Sequence, residues 1–218
     1  ANGQALITGS SLSRMDRSET TLTSGRSLVG VYGLGNFSTE NDGFVFQGHN
    51  GGIEGFLSTY GYLPNHDRGY FFSINAANQQ TYQAIDEMLR AFLTRGLDAQ
   101  QPEQPIEVDL RHLIGYYEPI TVRNERMRFL TPLFQTVRAD IDDGTLVFTP
   151  FFGQPAVWIP VRNGRYRYRD LTQANIAEVT VPTGSTPLLS GQPGTLHLIP
   201  TYVAWLRWLG LVFCLTLM

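Results

Sequence analysis

Lysine is absent from these 218 residues; all 16 basic side chains are arginine. That absence excludes every role that depends on a lysine amine. Cysteine is nearly absent too. The single Cys214 rules out an internal disulfide and a cysteine-rich metal site, and says little about compartment. Charge is sparse, at 16% of residues, and the net charge of -3 gives no reason to expect nucleic acid as a partner. The first residues lack the basic, apolar, small-residue succession of a signal peptide. There is no initiator methionine before Ala1, and the last apolar run stops in mid-pattern. The sequence therefore reads as a fragment cut at both ends. What is present, 42% hydrophobic residues, suits one large folded domain or two small ones.

The stretch Gly48-His49-Asn50-Gly51-Gly52 stands out. Glycines crowded around one histidine allow a tight turn or a close approach by another group. A glycine-rich hairpin with a surface histidine remains the plain alternative. Residues 43–48 and 55–62 read as strands on either side of it, 70–75 as the next. Asn41-Asp42-Gly43 is a turn signal between strands. These runs predict an antiparallel meander. Residues 79–95 then have helical period, with Tyr82, Ile85, Leu89, Phe92 and Leu93 on one face and Asp86, Glu87 and Arg90 off it. Asn78 is the expected N-cap and Gly96 the expected stop. A helix with one apolar face, following a sheet, implies helix-on-sheet packing.

The domain plan is an α+β unit over residues 1–97, a Gln/Pro-rich linker at 98–107 and a small all-β barrel-like domain at 108–182. A Gly/Pro/Ser-rich linker at 183–200 and a truncated transmembrane helix at 201–218 follow. Spanning a bilayer takes about 20 apolar residues. Trp205 and Trp208 would form an interfacial belt and Arg207 would snorkel to head groups; a buried or amphipathic helix of a soluble protein is the alternative. His112 and His197 stand alone, and His66 beside Asp67 lacks the further ligands of a metal site. No metal or cofactor is expected. Arg123, Arg126 and Arg128 read as an anion site or, more simply, as a solvated strand face.

Taken in order, Arg14-Met15, Tyr32-Gly-Leu-Gly35, Gly48-His-Asn-Gly-Gly52, Gly55-Phe56 and Tyr70-Phe-Phe-Ser-Ile-Asn75 with the helix after them resemble the C-terminal part of serine β-lactamase-related, penicillin-binding-protein-like hydrolases. The likeness is to the class C branch and covers roughly the first hundred residues. Leu113-Ile-Gly-Tyr-Tyr117 looks like the opening of a small β-barrel appended to many of them. The resemblance implies that His49-Asn50-Gly51 falls on the third active-site motif, on an edge strand facing the nucleophile. It makes His49 and Gly52 the catalytic candidates, Gly52 as an oxyanion donor and His49 as a hydrogen-bond donor or cation. Asn50 and Gly51 become the substrate-binding candidates. Histidine in place of lysine is mostly neutral at pH 7, which favours a D-amino-acid peptidase or esterase over a true β-lactamase.

The family's Ser-x-x-Lys nucleophile motif cannot occur here, and no Tyr-x-Asn motif is present. The expectation is a wall of an active site whose nucleophile and base lie upstream, inactive alone. Its substrates would be peptide-like or ester small molecules, and it would sit at the bacterial cytoplasmic membrane facing the periplasm or exterior. A non-catalytic module binding peptide or peptidoglycan at the membrane is the alternative, and a plain β-rich structural domain a third.

Overall fold

The computed structural model describes residues 7–19, 21–120, 125–127, 131–180, 186, 188–192 and 194–216, without the side chains of 127 and 211–216. The chain divides into two units, one ending at Pro102 and the other beginning at Glu103.

The first unit opens with α1 (Gly9–Asp16), capped by the Thr8 hydroxyl, which accepts the Ser11 N–H at 3.1 Å. Four strands follow as an antiparallel meander in sequential order: β1 (Phe37–Asn41), β2 (Phe44–Ile53), β3 (Phe56–Leu63) and β4 (Arg68–Ile74). The β1–β2 turn is Asp42-Gly43, with φ of 50° and 79°. Two successive positive φ values match the right-handed twist of the flanking strands. A sequence reading puts Gly48–Gly52 between two strands; instead it lies inside β2, paired with β3 throughout, and the turn falls at Glu54-Gly55.

Helix α2 (Gln79–Thr94) packs beside β4, with Asn78 Oδ1 accepting the Thr81 N–H at 3.0 Å. Its inward face keeps Tyr82, Ile85, Leu89 and Leu93 of the expected stripe, leaves Phe92 out and adds two charged residues. Asp86 and Arg90 are largely buried, while Phe92 and Met88 are exposed. The half-buried positions 82, 85, 86, 89, 90, 93 and 94 keep a helical period but are centred one residue away from the apolar count. An ion pair explains this. Arg90 Nε lies 2.7 Å from Asp86 Oδ2 and Nη1 donates to Thr39 Oγ1 at 2.8 Å. Tyr70 Oη donates to Asp86, and the guanidinium sits 4.8 Å above the Phe46 ring. Paired and hydrogen-bonded charges are tolerated at such an interface.

The second unit is a closed antiparallel barrel of eight strands: β5 (Gly115–Pro119), β6 (Val137–Asp142), β7 (Thr145–Pro150), β8 (Ala156–Val161), β9 (Arg165–Tyr168), β10 (Ile176–Val179), β11 (Leu188–Gly191) and β12 (Thr195–Ile199), with β12 closing on β5. Its core holds Leu110, Leu113, Tyr117, Ala139, Leu146, Phe148, Trp158, Tyr166, Ile176 and Leu189. Leu113 and Tyr117 are fully buried, and Tyr117 Oη donates to the Leu113 carbonyl at 3.0 Å. Gly115 adopts a φ of 150° that favours glycine, and a Cβ there would lie 2.6 Å from Leu198 Cδ1, which would have to move.

The expected fold class is overturned. The chain forms a closed eight-stranded barrel and a separate four-stranded sheet, with short helices α1, α2, α3 (Thr131–Phe134) and α4 (Thr201–Thr216). No apolar C-terminal transmembrane helix is found: among the described residues no helix is long and apolar enough to cross a membrane. Arg207 does not snorkel; it pairs with Glu118 of β5, and Ala204 is buried. The expected linker at 183–200 carries β11 and β12, the strands that complete the barrel. The expected linker at 98–107 is held by hydrogen bonds. Gln100 N–H donates to Gly43 O at 3.0 Å in the first unit; in the second, Glu103 N–H reaches Thr172 O at 2.7 Å and Ile106 N–H reaches Pro160 O at 3.0 Å.

Candidate functional site

All four candidate residues lie on β2, in its second half. β1 pairs with β2 only from Phe44 to Gly48, whereas β3 pairs with it as far as Ile53. Beyond Gly48, therefore, β2 has no described strand on its β1 side. Asn50, Gly51, Gly52 and Ile53 are all exposed, and His49 is half-buried. The resemblance places this motif on an edge strand. β2 is internal to the sheet, and only its 49–53 half has an open edge.

The glycines of the stretch divide into a packed one, Gly48, and two exposed ones, Gly51 and Gly52. A Cβ on Gly48 would lie 2.1 Å from the Tyr60 carbonyl oxygen, and one on its cross-strand partner Gly61 would lie 2.7 Å from the Tyr70 ring. Those positions are required by packing. Gly51 is open, with Ser58 Oγ the nearest atom at 3.8 Å, and at Gly52 Leu57 Cδ2 stands at 3.0 Å. What the two exposed glycines add is a flat, unobstructed backbone.

His49 sits opposite Tyr60, and its ring meets Tyr32 and Phe37 edge-on at 5.9 and 5.4 Å. Its carbonyl accepts from Thr59 Oγ1 at 3.3 Å. Tyr32 is 54% exposed, so it covers the imidazole at the surface rather than packing in the core.

Beside this strand lies a saturated polar cluster that the sequence reading missed. Asn36, almost wholly buried, donates through Nδ2 to Asp16 Oδ1 at 2.8 Å and to Tyr62 Oη at 2.9 Å. Its Oδ1 accepts from Tyr60 Oη at 2.5 Å, and Tyr62 Oη donates to Asp16 Oδ1 at 2.5 Å. Burial, reinforced by Asp16, pushes the Tyr62 phenol well above the ordinary tyrosine value, so it remains a donor. Next to it, the Met15 carbonyl accepts the Leu34 N–H at 2.8 Å, and a Cβ on Gly33 would lie 2.0 Å from that same oxygen. The Arg14-Met15, Tyr32–Asn36 and Gly48–Gly52 segments are thus brought together. An asparagine following a glycine-rich stretch was the one available signal for Asn36.

A cavity of about 90 Å³ between α2 and the sheet is lined by Gly48, Asn50, Gly61, Asp86 and Arg90, among others. It is far below the about 300 Å³ of the smallest usual ligand pockets. The accessible surface of this site is the open β2 edge.

Among the remaining candidates, His112 Nε2 lies 3.1 Å from Glu178 Oε1 and His197 Nε2 lies 2.8 Å from Glu118 Oε1; both are paired, not isolated. Burial drives the Glu118 carboxyl upward, but Arg207 and His197 together outweigh it and hold its pKa below the ordinary value. Arg126 belongs to a short helical turn, while Arg123 and Arg128 lie outside the described residues. No group of three or more potential metal ligands occurs among the described residues.

No family model matches the chain. No curated protein matches it. Weak structural matches exist to a crystal structure of SurE (17% identity, TM-score 0.42, 88% of this chain and 42% of that one) and to SurE with D-Leu (17%, 0.42, 88% and 44%). A third is to an octameric penicillin-binding protein homologue from Pyrococcus abyssi (14%, 0.30, 89% and 43%). The chain spans less than half the length of each of these structures. Scores this low give it neither a family nor a fold.

Proposed function

We propose that the sheet unit forms one wall of the substrate cleft of a β-lactamase-related serine hydrolase that transfers acyl groups of peptide, amide or ester substrates. A D-amino-acid peptidase or an esterase fits better than a penicillin hydrolase, because His49 stands where the family's β-lactamases carry a lysine. The observation that carries this reading is the open edge of β2 at His49–Ile53, flat and free of side chains at Gly51 and Gly52. An extended substrate adds to such an edge through main-chain hydrogen bonds. In this reading Gly52 N–H helps to hold the oxyanion, Asn50 binds a substrate carbonyl or carboxylate and His49 donates to the acyl group. The nucleophile and base come from outside residues 1–218, since no Ser-x-x-Lys sequence exists here.

Exposed apolar side chains on the sheet face that carries His49 support a covering body. Ile53 of β2 is 76% exposed and Phe71 of β4 71%, with Phe56 and Tyr60 of β3 also open to solvent. Apolar patches of this kind mark interaction surfaces. Placement at the outer side of the bacterial cytoplasmic membrane belongs to the same reading. It draws on α4, where Tyr202, Trp205, Leu206 and Leu209 are exposed at the spacing of one helix face, an apolar surface open to a lipid or protein partner.

The test is labelling of the protein, together with the sequence preceding residue 1, by a fluorophosphonate or a fluorescent penicillin. Labelling at a serine of a Ser-x-x-Lys motif, slowed by His49→Ala, supports the reading. A preceding sequence without that motif defeats the catalytic claim. The same open edge also suits a non-catalytic module that holds peptides, and retained peptide binding with no labelling would favour that alternative.

A further inference from the structure

The barrel unit contains a feature that the hydrolase reading does not use. One end of the barrel opens into a cavity of about 510 Å³, within the about 300–1,000 Å³ range of small-molecule pockets. Its walls come from strand ends that meet there: Pro119 of β5, Val137 of β6, Pro150 of β7, Ala156 of β8, Ile176 of β10 and Leu196 of β12. Phe148 and Trp158, 4.9 Å apart between ring centres, are buried core residues that also line it. The rest of the barrel core includes Leu110, Leu113, Tyr117 and Tyr166, so the cavity is a cup at one end of the barrel. An eight-stranded barrel has an interior just wide enough either to be filled by side chains or to hold one small ligand. This barrel does the first over part of its interior and leaves room for the second at one end.

The chemistry of the cup is one-sided. Among the described residues none of its lining is charged, and the polar side chains there include the amides of Gln135 and Gln154, both exposed. At the same end Phe134, Phe151 and Phe152 are exposed. Phe151 packs edge-on against Phe152 at 4.6 Å and stacks on Trp208, and Phe134 stacks on Phe152 at 6.3 Å. An apolar cup with an aromatic cluster at its open end leaves hydrophobic surface in water, where such surface is unfavourable unless something covers it. A carboxylate or ammonium against the described lining would lie among apolar groups that do not compensate its charge.

We propose that the barrel is a binding site for one uncharged, predominantly apolar small molecule. Its hydrocarbon body lies against the half-buried Val137, Pro150, Ala156 and Leu196 and reaches the edge of Trp158, and an ester, amide or hydroxyl group meets Gln135 and Gln154 at the mouth. The site does not depend on the serine hydrolase reading, because every residue in it belongs to the second unit.

The test uses the full chain and N-phenyl-1-naphthylamine, a neutral apolar fluorophore. The expected result is saturable binding of one probe per chain with enhanced probe emission. Ala156→Phe, which fills the cup, weakens binding at least tenfold, whereas Met88→Ser, on the exposed side of α2, leaves it unchanged. Decanol displaces the probe at least tenfold better than decanoate. A second measurement stands apart from the stability of the cup-filling variant. In a Trp205→Phe, Trp208→Phe chain, Trp158 is the sole remaining indole, and saturating probe quenches most of its emission. Non-saturable binding, equal affinity in Ala156→Phe, or unquenched Trp158 overturns the site. Equal displacement by decanoate overturns its preference for an uncharged ligand.

Discussion

Gly48 faces Gly61 across the β2–β3 pair, so close to the neighbouring backbone that a Cβ on Gly48 would lie 2.1 Å from the Tyr60 carbonyl oxygen. Neither strand can give way without losing pairs on its other side, to β1 or to β4. Gly48→Ala is expected to destabilise the sheet unit by about 1–3 kcal/mol, the usual cost of overpacking. Gly51→Ala, with its nearest contact at 3.8 Å, should stay within about 0.5 kcal/mol. Amide hydrogen exchange across β2 and β3 in urea measures both; equal effects would show that the glycines are not divided into packing and surface positions.

Asn36 satisfies three partners at once, and Asn36→Ala leaves Asp16, Tyr60 and Tyr62 each short of one. These partners are half-buried or exposed, so water recovers part of the loss and the three together cost about 1–3 kcal/mol. The expected outcome is a loss of that order, accompanied by faster exchange where Tyr32–Asn36 meets Met15. Tyr62→Phe should cost less, because Asp16 then still accepts from Asn36. Denaturant midpoints of the two variants give the order directly.

Glu118 makes the barrel sensitive to acid. Its carboxyl titrates lower in the folded chain than its ordinary value of 4.5, so folding favours the charged form. The stabilisation is fully present above that ordinary value and is lost as pH falls through the folded-state value. Thermal unfolding of the barrel should therefore weaken below about pH 4.5 more steeply in the native chain than in Glu118→Gln. The charged neighbours on either side are Arg207 of α4 and His197 of β12. Identical pH slopes for the two chains would remove the assignment.

The exposed apolar face of α4 should bind vesicles of zwitterionic phospholipid without crossing them. Flotation is expected for the native chain and is expected to fall at least tenfold for Trp205→Ser, Leu206→Ser. Both side chains are exposed, so their loss should leave the barrel intact by near-ultraviolet circular dichroism. Protection of α4 from protease only after detergent removal of the lipid would contradict surface binding.

Some of this architecture is written locally in the sequence. Asp42-Gly43 and Asp143-Gly144 are turns because both residues of each adopt positive φ, which Asp and Gly tolerate best. Asn78 marks the start of α2 for an equally local reason, its side chain accepting Thr81 N–H. The errors fall where tertiary contacts decide. β11 is four residues long and joins β12 through a glycine-bearing turn, so composition reads as linker although both strands are needed for closure. Asp86 and Arg90 look solvent-facing until Tyr70, Thr39 and Phe46 are placed beside them. Apolar content suggested a membrane span at the C-terminus, but the Arg207–Glu118 pair ties that helix to the barrel. The glycine cluster of the candidate site lies within β2. Which glycines are packed and which are open depends on β3, and only the fold reveals it.

Closure of the barrel also sets an order of events. β5, its first strand, pairs with β12, its last, so Tyr116 meets Ile199. The sheet unit needs only hairpins between successive strands. Loop closure over a long separation must precede any reward from such a contact, which slows folding. On the ribosome the sheet can assemble as its hairpins emerge. The barrel must stay open, with Phe148 and Trp158 unprotected, until the final strand has been synthesised and released from the exit tunnel.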